Sequence, residues 1–413
     1  MPKYRFPEFK LQKSWDVRDL GSVTEVVSHK NTKGDRYPVY SINNKEGFLP
    51  QSEQFEGVDS NSRGFDIKLY KIVGKHTFAY NPARINIGSI GYSGELHDII
   101  ISSLYVCFKT NDETDDSFFR QFLSTSAFSR QVENNTEGGI RSYLFYANFS
   151  NILAAFPCIE EQQKIADCLT SLDELIAAEN KKLEALKAHK KGLMQKLFPS
   201  EGETVPDLRF PEFQYSGKWE KRKLSEVTSY VDYRGKTPLK SESGIFLITA
   251  KNIRMGYIDY LTSQEFIPAG NYTTVMSRGL PAIGDVIITT EAPVGNVAQI
   301  DRENIALAQR IIKYCGIATK LDNAFLKFTL MSPKFQSGLL SKSTGGIVKG
   351  IKGSVLHGMM IDVPQLKEQQ KIANFLSAAD DKITAQSERI EALKLHKKGL
   401  MQGLFPSAQE VTK

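Results

Sequence analysis

The chain has 413 residues, enough for two to three domains at about 150 each. Lys and Arg outnumber Asp and Glu by 53 to 47, a mild basic excess that permits nucleic-acid binding without identifying it. With 41% hydrophobic and 24% charged residues the composition excludes disorder throughout, and no run approaches the ~18 apolar residues of a membrane span.

The expected elements follow in chain order. A short motif, Arg5-Phe6-Pro7-Glu8-Phe9, leads in. Strand-like β-branched and aromatic runs come next at Phe65–Ile72, Arg84–Ile90 and Ile99–Phe108, with Tyr80-Asn81-Pro82-Ala83 as a turn before the second. Asp116–Ser129 reads as a helix. From Pro157 to Pro199 runs a long helix, bounded by proline on both sides. Residues 199–218, poor in aliphatics and rich in turn formers, read as a linker, and Arg209-Phe210-Pro211-Glu212-Phe213 repeats the lead-in inside it. Strands are then expected at Gly244–Thr249, Asp285–Thr290 and Ala308–Tyr314, a helix at Asn323–Ser337, and a second long helix between Pro364 and Pro406.

The chain is internally duplicated. Pro157 to Ser200 aligns with Pro364 to Ser407 at an offset of 207, with 26 identities in 44 positions, including EQQKIA and KKGLMQ. The lead-ins align at an offset of 204, and Trp15, Arg18, Leu20 and Val23 match Trp219, Arg222, Leu224 and Val227. Between these ends, roughly residues 20–150 and 224–357, the two copies have diverged beyond recognition.

Each long helix carries a heptad seam. In the first it runs Ile165, Leu169, Leu172, Ile176, Glu179, Leu183, Leu186, Lys190, Leu193, Leu197. In the second it runs Ile372, Leu376, Ala379, Ile383, Gln386, Ile390, Leu393, Lys397, Leu400, Leu404. A helix of ~40 residues, ~60 Å long, cannot bury such a seam alone. Two-fold symmetry sets the copies antiparallel, and the expected register places Glu179 opposite Lys397 and Lys190 opposite Gln386. Closure of the repeat puts Phe405-Pro406-Ser407 near Arg5–Phe9. The fold class is therefore α+β: two mixed α/β domains separated by two long antiparallel helices forming a coiled coil, with internal pseudo-two-fold symmetry. The expected segments are 1–156, 157–199, 200–218, 219–363, 364–407 and 408–413.

Chemistry is sparse. There is no P-loop and no GxGxxG after a strand, and the six histidines have no metal-ligand spacing. Asp285 and Glu291 bracket a strand but lack the lysine of a nuclease site, and read as hydrogen-bonded turn residues. The four cysteines (Cys107, Cys158, Cys168, Cys315) form no CxxC and read as buried small apolar residues. Residues Met1 to Phe6 contain no apolar signal core, so a cytoplasmic protein is expected. No catalytic, cofactor-binding or metal site is expected in the chain.

The divergent segments instead offer loops rich in basic and amide groups. The candidate DNA-binding residues of the first are Lys30, Asn31, Lys33, Arg36, Tyr37, Arg63, Arg84, Asn135 and Arg141. Those of the second are Tyr233, Arg234, Lys236, Lys251, Asn252, Arg254, Lys342, Ser343, Lys349 and Lys352. Arg and Lys suit guanine edges and phosphates, and Asn suits adenine. Each residue alone is ordinary for a surface loop. The collective signal is that Thr136–Arg141 and Ser343–Lys349, equivalent in the repeat, share Gly-Gly-Ile with adjoining basic residues.

A divergent α/β domain followed by a near-identical helix, opening P-x-x-x-E-Q-Q-K-I-A and closing K-K-G-L-M-Q-x-L-F-P twice over, resembles the specificity subunit of type I restriction–modification systems. The segment Tyr80–Gly91 and the lead-ins are similar to that family's target recognition domains. The resemblance implies a non-catalytic subunit whose two variable domains each read half of a bipartite, asymmetric double-stranded DNA site, with the paired helices as spacer. It implies two methyltransferase subunits and two motor–nuclease restriction subunits as partners, which carry the S-adenosylmethionine, ATP and Mg²⁺ sites. The alternatives are the specificity subunit of a methylation-only complex and a protein-binding coiled-coil scaffold.

Overall fold

The computed structural model describes residues 2–44, 46–55, 57–136, 143–233, 238–346 and 349–411. The chain divides into two compact units: residues 1–180 with 389–413, and residues 181–388. The long helices are Ile159–Leu197 and Leu366–Leu404, each of 39 residues, and they run through Gly192 and Gly399 unbroken. Each unit thus holds the first half of one long helix and the second half of the other.

The first unit contains β1 (Asp16–Asp19), β2 (Thr24–Val26), β3 (Val39–Asn43), β4 (Gly47–Pro50), β5 (Lys71–Val73), β6 (Phe78–Tyr80), β7 (Ile90–Tyr92), β8 (Ile99–Ile101), β9 (Val106–Thr110) and β10 (Leu153–Phe156). They form the sheets β2-β9-β6-β7 and β4-β3-β8-β5 and the pair β1-β10. The second unit contains β11 (Glu220–Lys223), β12 (Thr228–Asp232), β13 (Ile245–Ile248), β14 (Ile253–Arg254), β15 (Tyr257–Ile258), β16 (Phe266–Ile267), β17 (Val286–Thr290), β18 (Val294–Gln299), β19 (Ile305–Leu307), β20 (Ile311–Gly316) and β21 (Met360–Val363). Its sheets are β12-β20-β17-β18 and β16-β13-β19, with the pairs β11-β21 and β14-β15. The diverged segments have kept one topology: the antiparallel orders correspond strand for strand, and β3 pairs parallel with β8 as β13 does with β19. The hairpin β14-β15 and the edge strand β5 are the differences.

Several expected strands are shorter or absent. Arg84–Ile90 is a 3₁₀ turn at Ile85–Ile87 that ends on Gly88 at φ 87°, a left-handed position that breaks extension before β7. Ile99–Phe108 splits into β8 and β9 around a turn in which the Tyr105 N–H bonds the Ser102 carbonyl (3.2 Å). Phe65–Ile72 holds a 3₁₀ turn at Ile67–Leu69 and only the start of β5. Cys107 is buried, but Cys158 is exposed at the start of the first long helix, where its carbonyl accepts the Glu161 and Gln162 N–H groups; backbone geometry, not burial, places it.

The core of each unit takes in the helix ends. In the first, Ile165, Ala166 and Leu169 from one long helix and Leu404 and Phe405 from the other join Trp15, Leu20, Phe78, Phe108, Phe118 and Phe149. In the second, Ile372, Ala373 and Leu376 with Met194, Leu197 and Phe198 join Trp219, Leu224, Tyr314, Phe325 and Phe328. Every seam position is buried or half-buried.

The repeated EQQ motif has a defined task in both units. Glu161 takes a bidentate bond from Arg5 (2.9 and 2.7 Å), and Glu368 takes one from Arg209 (2.7 Å twice). Both pairs are almost wholly buried, and the guanidinium groups also hold the carbonyls of Gln12 and Lys13, or of Ser216 and Gly217. Gln162 accepts from the Asp115 N–H and donates to Glu113 and Pro157 carbonyls. Gln369 does the same with Asp322, Lys320 and Pro364. Asp115 and Asp322 then cap the helices at Asp116–Leu123 and Asn323–Met331. The lead-in and the domain are thereby stitched to the start of the long helix.

The lead-in also reaches the end of the opposite helix. The Tyr4 N–H bonds the Gly403 carbonyl (2.9 Å), as the Leu208 N–H bonds that of Lys196 (2.9 Å), so each lead-in lies beside the end of a long helix. A Cβ at Gly403 would lie 2.0 Å from the Tyr4 ring, which explains why the repeat departs from lysine there.

The helix register differs from the expected one. Lys397 pairs with Asp173 (2.6 and 2.7 Å), Lys190 with Asp380, and Arg389 with Glu179 (2.8 Å). Each lysine meets a partner six residues earlier than expected. Symmetry requires only that the pairs be mates under the 207-residue offset, which Asp173–Lys397 and Lys190–Asp380 are; it leaves the register itself to side-chain chemistry. Asp173 also accepts from Gln121 (3.0 Å) and Asp380 from Lys327 (3.3 Å), so each aspartate ties its domain to both helices. Burial pulls the Lys327 ammonium below its ordinary pKa, with Asp380 opposing. Lys397→Asp is expected to destabilise the protein by about 1 kcal/mol and a second change, Asp173→Lys, to restore most of it. A double-mutant cycle from urea unfolding checks this; coupling to Glu179 instead of Asp173 contradicts it.

Candidate nucleic-acid interface

In the first unit two of the basic loops meet. The amide of Asn61 donates to the Tyr37 carbonyl (3.1 Å), joining the 30–37 loop to the 59–65 loop. Lys30, Lys33, Arg36 and Arg63 are exposed around this junction and Tyr37 is half-buried. Arg63 lies over the Phe55 ring at 5.0 Å, which orients its guanidinium. A second cluster forms where the Leu144 N–H bonds the Pro82 carbonyl (3.0 Å), bringing exposed Arg84 to the chain segment around Tyr143. Asn135 is half-buried and spends its amide on the Gln131 carbonyl.

In the second unit Lys251 is exposed and Arg254 half-buried, the latter bonded to Thr262 (3.1 Å). Lys342, Lys349 and Lys352 are exposed on the 342–352 loop. That loop is pinned to the end of β17, where the Ile351 N–H bonds the Thr290 carbonyl (2.9 Å) and Thr344 bridges Gly350. Arg141, Arg234 and Lys236 lie outside the described residues, as does most of Thr136–Arg141.

Four candidates are used up internally and are corrected here. Asn31, 1% exposed, closes its own loop by donating to the Asp35 carbonyl (2.8 Å) and accepting its N–H (3.1 Å). Asn252, fully buried, accepts from Thr249 and donates to the Asp259 and Ser263 carbonyls (2.9 and 2.8 Å). Tyr233 is buried with its hydroxyl on the Gly279 carbonyl (2.6 Å), and Ser343 bonds the Leu339 carbonyl. These side chains shape loops rather than present edges to a ligand. Asp285 and Glu291 are engaged by Lys313 (2.6 Å) and Arg310 (3.4 Å), as turn-flanking residues.

Sequence reasoning missed two aromatic surfaces. Tyr143 and Phe145 stack in parallel at 5.8 Å, with Phe145 exposed. Tyr230, also exposed, stacks on His357 at 3.6 Å, and His357 meets the Tyr314 hydroxyl (2.7 Å). The Tyr-x-Phe spacing of Tyr143 and Phe145, alternate residues on one face of an extended segment, was the available signal. Among the described residues no group of histidine, cysteine and carboxylate side chains has metal-binding geometry, and no helix is long and apolar enough to cross a membrane.

Replacing Asn252 by alanine is expected to lower stability by about 2–3 kcal/mol, since it leaves two carbonyls and the Thr249 donors unpaired. Lys251→Ala, next to it but exposed, should stay within about 0.5 kcal/mol of the parent. Thermal melting of the two variants separates a loop brace from a surface cation; equal effects contradict the assignment.

Comparison with known proteins places the chain. The family model for the type I restriction modification DNA specificity domain matches twice, over residues 12–188 and 216–395. The type I restriction enzyme MjaVIII specificity subunit of Methanocaldococcus jannaschii is 26% identical over 95% of this chain and 92% of its own length. The putative MjaX specificity subunit of the same organism is 23% identical over 95% and 93%. Among solved structures, the type I restriction–modification S subunit from M. genitalium covers 98% of this chain and 99% of its own at a TM-score of 0.58 and 14% identity. A chain from a study of assembly and conformational transition of the type I system gives the same score at 16% identity, covering 96% and 98%. With both repeats matched by one specificity-domain model, this chain belongs to the specificity subunits of type I restriction–modification systems, non-catalytic DNA-recognition subunits with two such domains.

Proposed function

We propose that the two domains read the two halves of one bipartite, asymmetric DNA site, and that the long helices set the distance between them. The observation that carries this is the contrast inside the repeat. Strand order, aspartate caps, Arg–Glu clamps and Gln stitches are the same in both units, while the exposed loops differ in sequence and length. A framework kept alike presents unlike surfaces. Lys30, Lys33, Arg36, Arg63 and Arg84 in the first unit, and Lys251, Arg254, Lys342, Lys349 and Lys352 in the second, supply phosphate neutralisation and base-edge donors, and the sequence adds Arg141, Arg234 and Lys236. The exposed aromatic faces of Phe145 and Tyr230 suit thymine methyls.

Two equivalent sets of helix and lead-in surface serve two methyltransferase subunits, and restriction subunits join the same assembly. S-adenosylmethionine, ATP and Mg²⁺ act in those partners. Adenine methylation by a partner requires the base to leave the stack, so the heads hold a duplex that is bent or opened between them. Heads on one side of the duplex give half-site centres about 34 Å apart.

The test is an exchange of residues 20–150 for the matching segment of another family member, followed by mapping of methylated sites. One half-site is expected to change and the other to remain. A change in both halves, or in neither, contradicts the modular reading. Retention of a scrambled duplex as strongly as the mapped bipartite one favours a protein-binding scaffold.

A further inference from the structure

Inside the diverged segments one position keeps its geometry in both units while its chemistry changes. In the first unit the Leu144 N–H bonds the Pro82 carbonyl (3.0 Å), just past β6, and Leu144 is fully buried. In the second, its mate under the 207-residue offset, Ile351, bonds the Thr290 carbonyl (2.9 Å) at the end of β17 and is also buried. The next residue opens a short helix in each: Phe145 before Tyr146–Phe149, and Lys352 before Gly353–His357. Their backbone torsions agree, with φ −73° and ψ 161° against φ −72° and ψ 139°. The Phe145 carbonyl accepts the Asn148 and Phe149 N–H groups, as that of Lys352 accepts those of Val355 and Leu356. Phe149 and Leu356 are fully buried, so the core grips the chain on both sides of this station.

The side chain at the station serves the fold poorly. A helix cap favours Ser, Thr, Asp or Asn, whose oxygen takes up a free N–H of the first turn. Neither Phe145 nor Lys352 makes such a bond. Phe145 is 53% exposed, with its ring parallel to that of Tyr143 behind it. Lys352 is exposed and makes no ion pair among the described residues, and the mate of Tyr143 is Gly350, so no ring stands behind it. A local preference set aside twice, at one rigid place, marks a position used for binding.

We infer that this station touches DNA in both domains and does a different job in each. Phe145 is a specificity-determining residue that packs on the methyl group of one thymine, and Lys352 neutralises one phosphate without reading a base. The inference rests on the two-domain reading above. A phenylalanine ring carries neither charge nor donor, and in the major groove the thymine methyl is the apolar group that it can contact. Tyr143 stiffens the ring from behind, so the contact is held in one place. An ammonium on a flexible stem is a compact point charge that suits a phosphate. The two half-sites are thus read by unlike means from one framework.

Fluorescence anisotropy of the full-length protein on its mapped bipartite duplex tests this. Each thymine in the half-site of the first domain is replaced in turn by deoxyuridine, which lacks the methyl. One replacement is expected to weaken binding about fourfold, the worth of one buried methyl. Phe145→Ala should weaken binding at least as much and be indifferent to that same deoxyuridine, as should Phe145→Lys. The log–log salt slope is expected to stay unchanged in F145A, to steepen by about 0.9 in F145K, and to become shallower by about 0.9 in Lys352→Ala, with an even loss across base substitutions. Equal retention of a scrambled duplex by the unaltered protein overturns the two-domain reading and this inference together. Specific retention with no sensitive thymine, a deoxyuridine effect that survives in F145A, or a changed base preference in K352A overturns this inference alone.

Discussion

A helix of 39 residues with an apolar seam along its whole length has to find a second surface, and the rest of this structure follows from how it finds one. The duplication supplies a near-identical seam. Within each unit the beginning of one long helix lies against the end of the other, and both are built into the core of the adjoining α/β domain. A domain whose core includes both helices cannot swivel freely on them. Each unit is thus built as one body with the helix halves it contains.

The polar contacts reinforce that attachment where hydrophobic packing is least directional. Two buried Arg–carboxylate forks orient the lead-ins, and two glutamines satisfy the backbone at the junction between domain and helix. A buried ion pair is weak evidence for net stability, yet removing one partner strands the other at a cost of about 3–5 kcal/mol. Asp173 and Asp380 do the same for register, each taking one donor from the opposite helix and one from its own domain. The second unit uses buried Lys327 where the first uses the neutral Gln121. The two heads are therefore held by similar geometry with different electrostatics.

Much of this architecture was legible in the sequence. The heptad seam survives because a 3.5-residue period is hard to produce by accident, and the repeated RFPEF and EQQ motifs turn out to be repeated because they touch. What was not legible depended on contacts distant in sequence. The helix register looked fixed by symmetry, yet symmetry is satisfied by any register, and lysine–aspartate pairing decides. Short strands such as β5 and β8 were overextended, and Arg84–Ile90 reads as a strand in sequence, because β-branched runs do not announce the glycine or turn that stops them. In the candidate interface, exposed cations were where loops placed them, but Asn31 and Asn252 had the right chemistry and the wrong address. An asparagine that closes its own loop looks the same in sequence as one that reaches outward.

The central claim is that the paired helices set the separation of two independent readers. It is tested most directly by removing one heptad from each helix, residues Glu179–Ala185 and Gln386–Ala392, and mapping the methylated sites of the assembled complex. Seven residues shorten each helix by ~10 Å, about three base pairs. The account predicts unchanged half-sites with a spacer shorter by about that amount. An unchanged spacer, or altered half-sites, would contradict it.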